Sequence, residues 1–189
     1  TPEYDGEYKI SDLKDEVVVS WDSSGVIHIQ GSTESDVILV SGYVSARERL
    51  WQMELIRRLA KGRLSEIFGR ETIEADKLFL TLGIDSITID MYESISPASK
   101  IWLESYAAGI NAYLEEVQND LPLEFILLQF KPEQWTPQDC LLQNRIMAWI
   151  LNFSWKADLL YWHLSQNLPE DKFRDAWPQW VDSPSIIAF

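Results

Sequence analysis

A pair of short strands ahead of an otherwise helical sequence is the feature that most limits how this chain can fold. Residues 17–21 read VVVSW, a turn cluster follows at 22–25, and residues 26–29 read VIHI. This order predicts a β-hairpin. Two strands beside helices make a poor independent sheet. We therefore expect the strands to pair with polypeptide outside this chain.

The remaining sequence predicts helices with recognisable ends. Three long helices should begin after residues that can cap a first turn: Thr33, Ser96 and Thr136. Pro follows the second and third of these caps, at the first helical position, and Asp139 stands at the capping-box position of the third. The apolar stripe of the second helix is predicted to be Trp102, Tyr106, Tyr113 and Val117. Gly62 suits the end of the first helix. Residues 63–95 indicate short helical pieces, and about 155–167 indicate an amphipathic helix, so the chain is predicted to be α+β and mostly helical.

Charge and cysteine content exclude several classes of protein. The formal net charge is −14 at pH 7, and so acidic a surface repels the phosphates of nucleic acid. No run of about 18 apolar residues occurs, so no membrane-spanning helix is predicted. Cys140 is the one cysteine, which leaves neither an internal disulfide nor a cysteine-based zinc site. Nine tryptophans point instead to wide contacts, including contacts with another polypeptide.

Several sequence blocks follow one another in a fixed order. They are 25–29 (GVIHI), 42–54 (GYVSARERLWQME), 57–58 (RR), 62–66 (GRLSE), 68–69 (FG), 106–113 (YAAGINAY), 121–125 (LPLEF) and 132–139 (PEQWTPQD). Together they resemble the α-chain pattern of the penicillin acylase family of N-terminal nucleophile hydrolases, over roughly residues 17–189. Two positions depart from the pattern, because Ile27 replaces a proline and Glu48 replaces an aspartate.

The resemblance implies an architecture larger than this chain. Family members form a four-layer αββα sandwich, in which a much longer β chain supplies most of the sheet. Residues 1–189 would then be the α subunit, part of a single heterodimeric catalytic domain. A shared precursor, exported to the periplasm or secreted, would give both chains; the absent starting Met and single Cys are compatible with this expectation.

The resemblance also implies that no catalytic residue lies in this chain. The family's nucleophile is the serine that self-cleavage exposes at the start of the β chain, with its own α-amine as base. Thr1 is disfavoured as an alternative nucleophile, because Pro2 and a polar arm separate it from the first strand by some fifteen residues. His28, on a strand, is expected to be structural.

The acyl-binding residues are predicted near the end of the third helix. In the family this helix end carries a Met, and the side chains after it contact the acyl group; the corresponding residues here are Met147, Trp149, Leu151 and Phe153, with Ile150 among them. The penicillin G enzymes have an arginine near position 150 or 151, and this chain has none. Apolar side chains suit a hydrophobic acyl group and not a charged glutaryl one. The alternative interpretation is that these are ordinary core residues.

A calcium ion is implied by a second motif. Family members share one calcium between the chains, and the α chain contributes a carboxylate in a W-x-x-E-L pattern. Residues 155–159 read WKADL, which places Asp158 at the ligand position with a side chain one methylene shorter. The alternative is a surface carboxylate that is solvated or paired with Lys156.

The sequence therefore predicts one subunit of an amide hydrolase. The substrate would be a phenylacetyl or other aryl-acyl amide, or a long-chain N-acyl-homoserine lactone. The rival interpretations are an inactive homologue or a different amidase of the same superfamily, and a non-enzymatic helical interaction subunit. Four arginines of the first helix, Arg47, Arg49, Arg57 and Arg58, are expected to pair with carboxylates and not to bind an anion.

Overall fold

The structure is a computed structural model that describes residues 5–152 and 154–177. Its elements in chain order are β1 (Val17–Trp21), β2 (Ile27–Gly31), α1 (Glu34–Lys61), α2 (Ser65–Phe68), a 3-10 turn (Gly69–Thr72), α3 (Ile73–Leu82), α4 (Ile84–Ser94), α5 (Pro97–Glu116), α6 (Leu123–Leu127), α7 (Pro137–Leu151), α8 (Trp155–Asn167) and α9 (Glu170–Ala176). The α+β, mostly helical prediction is confirmed. The chain divides into two compact units, Thr1–Met147 and Ala148–Phe189.

The predicted hairpin is present. β1 and β2 are antiparallel, with Val17 opposite Gly31 and Trp21 opposite Ile27. The turn is held by the carboxylate of Asp22, whose Oδ1 accepts hydrogen bonds from the backbone N–H groups of Ser24 (2.8 Å) and Val26 (2.9 Å). The described residues form these two strands alone, so the sheet is as small as the sequence predicted.

The inner face of the hairpin packs on the first half of α1. Five strand side chains contact a buried cluster on the helix; they are Val17, Val19, Trp21, Ile27 and Ile29. The outward residue Val18 is 55% exposed. Alternation of inward and outward side chains therefore gives the hairpin one buried face, which fixes its register.

Helix α1 begins and ends where the sequence predicted. The N–H of Asp36 donates to Thr33 Oγ1 at 3.2 Å, and Gly62 ends the helix with a left-handed φ of 63°. Gly is favoured there because it has no Cβ to clash in that conformation. The helix is interrupted at Arg49, where φ is −140° and ψ is 22°. No feature of the sequence predicted this kink.

Helices α1 and α5 touch through their backbones. A Cβ built on Gly42 would lie 2.1 Å from Tyr106 O, and one built on Gly109 would lie 1.8 Å from Leu39 O. Any larger residue would force the helices apart. The blocks 42–54 and 106–113 thus contain the two sides of one close helix crossing.

A core cluster surrounds this crossing. It consists of Ala46, Leu50, Met53, Ala107, Ile110, Leu114, Phe125, Trp135 and Cys140. Three residues of the predicted α5 stripe, Tyr106, Tyr113 and Val117, pack against it. The prediction was wrong for Trp102, which is 48% exposed, because no described element covers that part of the helix.

The second unit is packed differently. Helix α8 has the predicted bounds, yet neither it nor α9 contains a buried residue. Four consecutive large apolar side chains of α8 are between 45% and 62% exposed: Leu159, Leu160, Tyr161 and Trp162. The predicted amphipathic burial is therefore not seen. The Tyr161 ring does contact the rings of Phe173 and Trp177. The Pro-rich, apolar sequence of residues 178–189 lies outside the described residues.

Candidate functional site

The start of α7 is fixed by reciprocal capping. The N–H of Asp139 donates to Thr136 Oγ1 (3.2 Å), and the N–H of Thr136 donates to Asp139 Oδ2 (3.0 Å). The Thr-Pro-Gln-Asp sequence predicted this capping box, which satisfies N–H groups that have no partner within the helix. Asp139 is only 2% exposed, so its carboxylate also needs cationic partners.

Those cationic partners come from the last turns of α1. Lys61 Nζ lies 2.6 Å from Asp139 Oδ1, and Arg57 Nη1 lies 3.3 Å from Oδ2. Burial opposes ionisation of Asp139, but hydrogen bonds from Lys61 and the Thr136 backbone, together with the charge of Arg57, lower its pKa below the ordinary value. The carboxylate is therefore held in its charged form.

Arg57 also binds the loop that leads into α7. It is 3% exposed, and its two terminal nitrogens donate to Gln134 O (3.1 Å) and Glu133 O (3.0 Å). Its guanidinium carbon lies 4.7 Å from the ring centroid of Trp135. We call Arg57, Lys61 and Asp139, with the backbone of residues 133–136, the α7 clamp.

Glu54 and Asn111 support the clamp from either side. Glu54 is 1% exposed and forms ion pairs with both Arg57 and Arg58, the latter at 2.7 Å. Asn111 on α5 donates to Trp135 O (2.9 Å) and accepts from Trp135 N–H (2.8 Å). The prediction that the arginines of α1 pair with carboxylates is confirmed for Arg57 and Arg58.

A more exposed ion-pair group lies beside the clamp. Arg63 contacts Glu66 and Glu133 at 2.7 Å each, and their side chains are 33%, 49% and 52% exposed. The hydrogen bonds from Arg63 lower the pKa of Glu133 to about 2. Like the clamp, this group pairs an arginine with carboxylates, but its side chains are exposed to water. It therefore serves as a control for substitutions in the clamp.

The far end of α7 holds the first predicted acyl-binding residue. Leu142 and Ile146 are buried, whereas Met147 is 44% exposed. In the second unit Leu151 is 60% exposed, and Trp149 is partly buried with its ring 6.1 Å from that of Trp155. Phe153 lies outside the described residues.

Two cavities of the first unit lie elsewhere. One of about 520 Å³ is enclosed by residues 6–10, β1 and α1, with the guanidinium of Arg47 4.9 Å from the Tyr8 ring centroid. The other, of about 600 Å³, lies between the hairpin, α1 and α5. The described residues lining these two cavities do not include Met147, Trp149 or Leu151. The four predicted acyl-binding residues thus remain a prediction.

Cys140 and His28, two candidate groups within the described residues, lack the features of a catalytic nucleophile or base. Burial raises the pKa of the Cys140 thiol to about 12, which keeps it protonated and unreactive. His28 is half-exposed at the hairpin, with Nε2 3.5 Å from Asp22 Oδ2. Thr1 lies outside the described residues. That the nucleophile belongs to another polypeptide stays a prediction.

Asp158 is an exposed carboxylate in the first turn of α8. Ser154 Oγ donates to its Oδ2 at 3.0 Å. The predicted alternative, an ion pair with Lys156, is not among the ion pairs of the described residues. The Lys156 Nζ instead lies 5.5 Å from the ring centroid of Trp155. Across residues 5–152 and 154–177, no group of three or more His, Cys, Asp or Glu side chains could hold a metal ion. Asp158 could therefore give one ligand to a shared site, but not a site by itself.

Sequence reasoning missed the α7 clamp as a unit. Arg57, Asp139 and residues 133–136 stood in the sequence blocks given above, whereas Lys61 did not, and Thr136 with Asp139 was identified as a cap. What the motifs could not show is that Arg57 and Asp139, 82 positions apart, are in contact. The sequence signal that could have indicated the clamp is an aspartate at a helix-capping position together with a consecutive Arg-Arg pair on another helix.

Comparison with known proteins identifies consistent relatives. The penicillin amidase family model matches residues 16–185. An acyl-homoserine lactone acylase QuiP from Pseudomonas syringae pv. tomato is 32% identical over 177 residues, covering 94% of this chain and 22% of that protein. The penicillin acylase 2 proenzyme of Pseudomonas sp. (strain SE83) is 36% identical over 154 residues, covering 82% of this chain and 20% of that protein.

A solved structure has the same fold. The chain matches a thermostable penicillin G acylase from Alcaligenes faecalis with a TM-score of 0.73 and 23% identity, over 94% of this chain and 99% of that chain. The chain spans about a fifth of the length of the curated relatives it matches. In the described part of the chain, every helix is too short or too polar to span a lipid bilayer.

Proposed function

This chain belongs to the penicillin amidase family, and on that basis we propose that it is the α subunit of a heterodimeric hydrolase that releases a hydrophobic acyl group from an amide. The observation that carries the proposal is the family match over residues 16–185, nearly the whole chain. The relatives described above do not favour a non-enzymatic helical subunit.

The proposed reaction divides the work between two chains. The hydroxyl of the serine at the start of the β chain attacks the amide carbonyl, the amine leaves with a proton, and water hydrolyses the resulting ester. Donors that stabilise the oxyanion would also lie on the β chain. The α chain contributes apolar contacts to the acyl group from Met147 onward, and these contacts decide which acyl chain fits.

Two substrate classes suit such a pocket. The relative named as a penicillin acylase supports a penicillin, for which we propose an aryl-acyl side chain of the penicillin G type. The relatives named QuiP support an acyl-homoserine lactone. Both carry an uncharged acyl group on a linear amide. The exposed, uncharged surface of Met147 supports either and disfavours a charged acyl chain.

The partner would be the remainder of the same precursor. Exposed apolar side chains on α8, from Leu159 to Trp162, leave a surface that water does not favour. The relatives are about four times as long as this chain, and one of them is named a proenzyme. We expect the precursor to be exported to the periplasm or secreted, and a gene without an N-terminal leader would contradict this.

Mass spectrometry and an acyl-release assay test the proposal together. The purified protein should contain this chain and a second chain of several hundred residues that begins with Ser. It should release amine from phenylacetyl or long-chain acyl amides. Replacement of that Ser by Ala should leave an uncleaved, inactive precursor. A single stable chain without amidase activity would contradict the proposal.

Asp158 is the residue that would hold calcium. Its carboxylate is exposed and accepts only a neutral hydroxyl among the contacts described, so it suits a hard cation shared with carboxylates of the β chain. The ion would contribute to assembly. The melting temperature of the wild-type enzyme should fall after chelation and recover with calcium. Asp158→Asn should lose that response; an unchanged response in the variant would exclude Asp158 as a ligand.

A further inference from the structure

Arg57 makes more directed contacts than a simple ion pair needs. Its guanidinium donates to the carboxylates of Glu54 and Asp139 and to the backbone carbonyls of residues 133 and 134. Its face lies over the Trp135 ring at 4.7 Å. A planar fork with fixed donor directions defines both the position and the orientation of the segment that it binds.

We propose that Arg57 is a positioning residue for acyl selectivity, acting through α7 on Met147. This inference rests on the proposed function, because it assumes that Met147 contacts the acyl group. It concerns a residue on another helix that touches no substrate. The α7 clamp would fix the position of helix α7, and the position of the helix would in turn fix where Met147 lies in the acyl pocket.

The path from the clamp to Met147 is short and rigid. Asp139 and Met147 are eight positions apart on one helix, a rise of about 12 Å. Between them, Leu142 and Ile146 are 1% and 0% exposed, so the helix is seated in the core along its length. A packed helix moves as a unit, and a shift at its start therefore displaces Met147 by a similar amount.

A stabilising role alone does not require this arrangement. Buried ion pairs are often no more stabilising than apolar residues of the same volume. What an apolar residue cannot do is to hold two carbonyls and a carboxylate in fixed directions. The geometry thus favours placement of the helix over stability as the contribution of Arg57.

The test compares selectivity among variants of the full-length, processed protein. Arg57→Met removes every directed contact, and Arg57→Lys keeps the charge without the fork. Arg63→Met and Arg63→Lys are the matched controls, since Arg63 binds the Glu133 side chain but does not contact Asp139. The measured quantity is the ratio of kcat/KM for a phenylacetyl amide to that for an acetyl amide of the same chromogenic amine. This ratio does not depend on the amount of folded enzyme.

We expect Arg57→Met to change the ratio about 10-fold, with Arg57→Lys between it and wild type, and both Arg63 variants to stay within about 2-fold. If Arg57→Met does not fold, Arg57→Lys alone decides. Lower yield or melting temperature with an unchanged ratio would overturn the proposal. An equal change in the Arg63 variants would do the same. A processed wild-type enzyme that hydrolyses neither amide would overturn the proposed function, and this inference with it.

Discussion

The α7 clamp and helix α8 differ in which kind of side chain is buried and which is exposed. In the clamp, the charged side chains of Asp139 and Arg57 are almost fully buried, and both bind partners from this same chain. In α8, apolar side chains such as Leu159 and Trp162 are more than half exposed. Buried charges must be paired and exposed apolar surface must be covered. The clamp is therefore complete within this chain, whereas α8 requires contacts from elsewhere.

The largest expected effect tests whether the clamp is self-sufficient. Glu54→Gln keeps the size of the side chain but removes the charge that two buried guanidinium groups share. We expect a loss of about 3–5 kcal/mol in the free energy of unfolding, because breaking a buried pair leaves charge uncompensated. Urea unfolding of the processed enzyme, followed by tryptophan fluorescence, measures this free energy for wild type and variant.

The control for this variant is Glu74→Gln. Glu74 pairs with Lys77 on the surface, with side chains 85% and 65% exposed, and the change should cost less than about 0.5 kcal/mol. Equal losses in the two variants would mean that the clamp is no more integral to the fold than a surface pair.

The next effect concerns the incompleteness of α8. In this chain expressed without the remainder of the protein, backbone amides of α8 should exchange about 100-fold faster than those of residues 50–61, because α8 has few covered contacts. We expect such a chain to aggregate or to stay loosely packed. In the processed enzyme the difference should close. If α8 exchanges as fast there as in the isolated chain, nothing covers it and the proposed interface is wrong.

A smaller effect tests the end of α7. Met147→Ala should change the preference between acyl chains by about 1–3 kcal/mol in transition-state free energy, because apolar contact with the acyl group is lost. Phe153→Ala should act similarly. Relative kcat/KM across a series of acyl lengths measures both. Leu127→Ala, at an equally apolar position that is 69% exposed in α6, should leave the preference unchanged. A flat profile for Met147→Ala would remove it from the pocket.

The smallest effect is a pH dependence beside the clamp. Arg63 depresses the pKa of Glu133 from 4.5 to about 2, so the pair stabilises the fold fully above pH 4.5 and loses that effect as the pH falls toward 2. The side chain is half-exposed, and the contribution should be less than about 1 kcal/mol. Glu133→Gln should be less stable than wild type at neutral pH and equally stable near pH 2. A difference that persists at pH 2 would contradict this.

Local signals explain why much of the fold could be predicted. Thr33, Ser96 and Thr136 cap the helices that follow them, and Gly62 ends the first, because capping involves neighbours in sequence. The hairpin was equally clear, since alternation and a turn cluster occupy one short stretch. The α1 kink at Arg49 had no such signal.

Long-range contacts explain what could not be predicted. Apolar spacing placed Trp102 in a buried stripe, but burial depends on a covering element, and none of the described elements covers that residue. The order of motifs placed Arg57 and Asp139 in the family pattern without showing that they meet. Met147 was predicted as a pocket residue by resemblance, and only the structure shows that its side chain is open.

The buried thiol of Cys140 gives the base of α7 a built-in chemical probe. It is the one cysteine of this chain, its Sγ lies 3.5 Å from Thr136 O, and its pKa of about 12 leaves roughly one thiol in 100,000 ionised at pH 7. A maleimide or iodoacetamide should therefore leave the thiol unmodified while α7 stays packed against the core. The rate at which Cys140 is alkylated would then report how often the start of α7 separates from the core. The measurement needs no substitution and no previously attached probe.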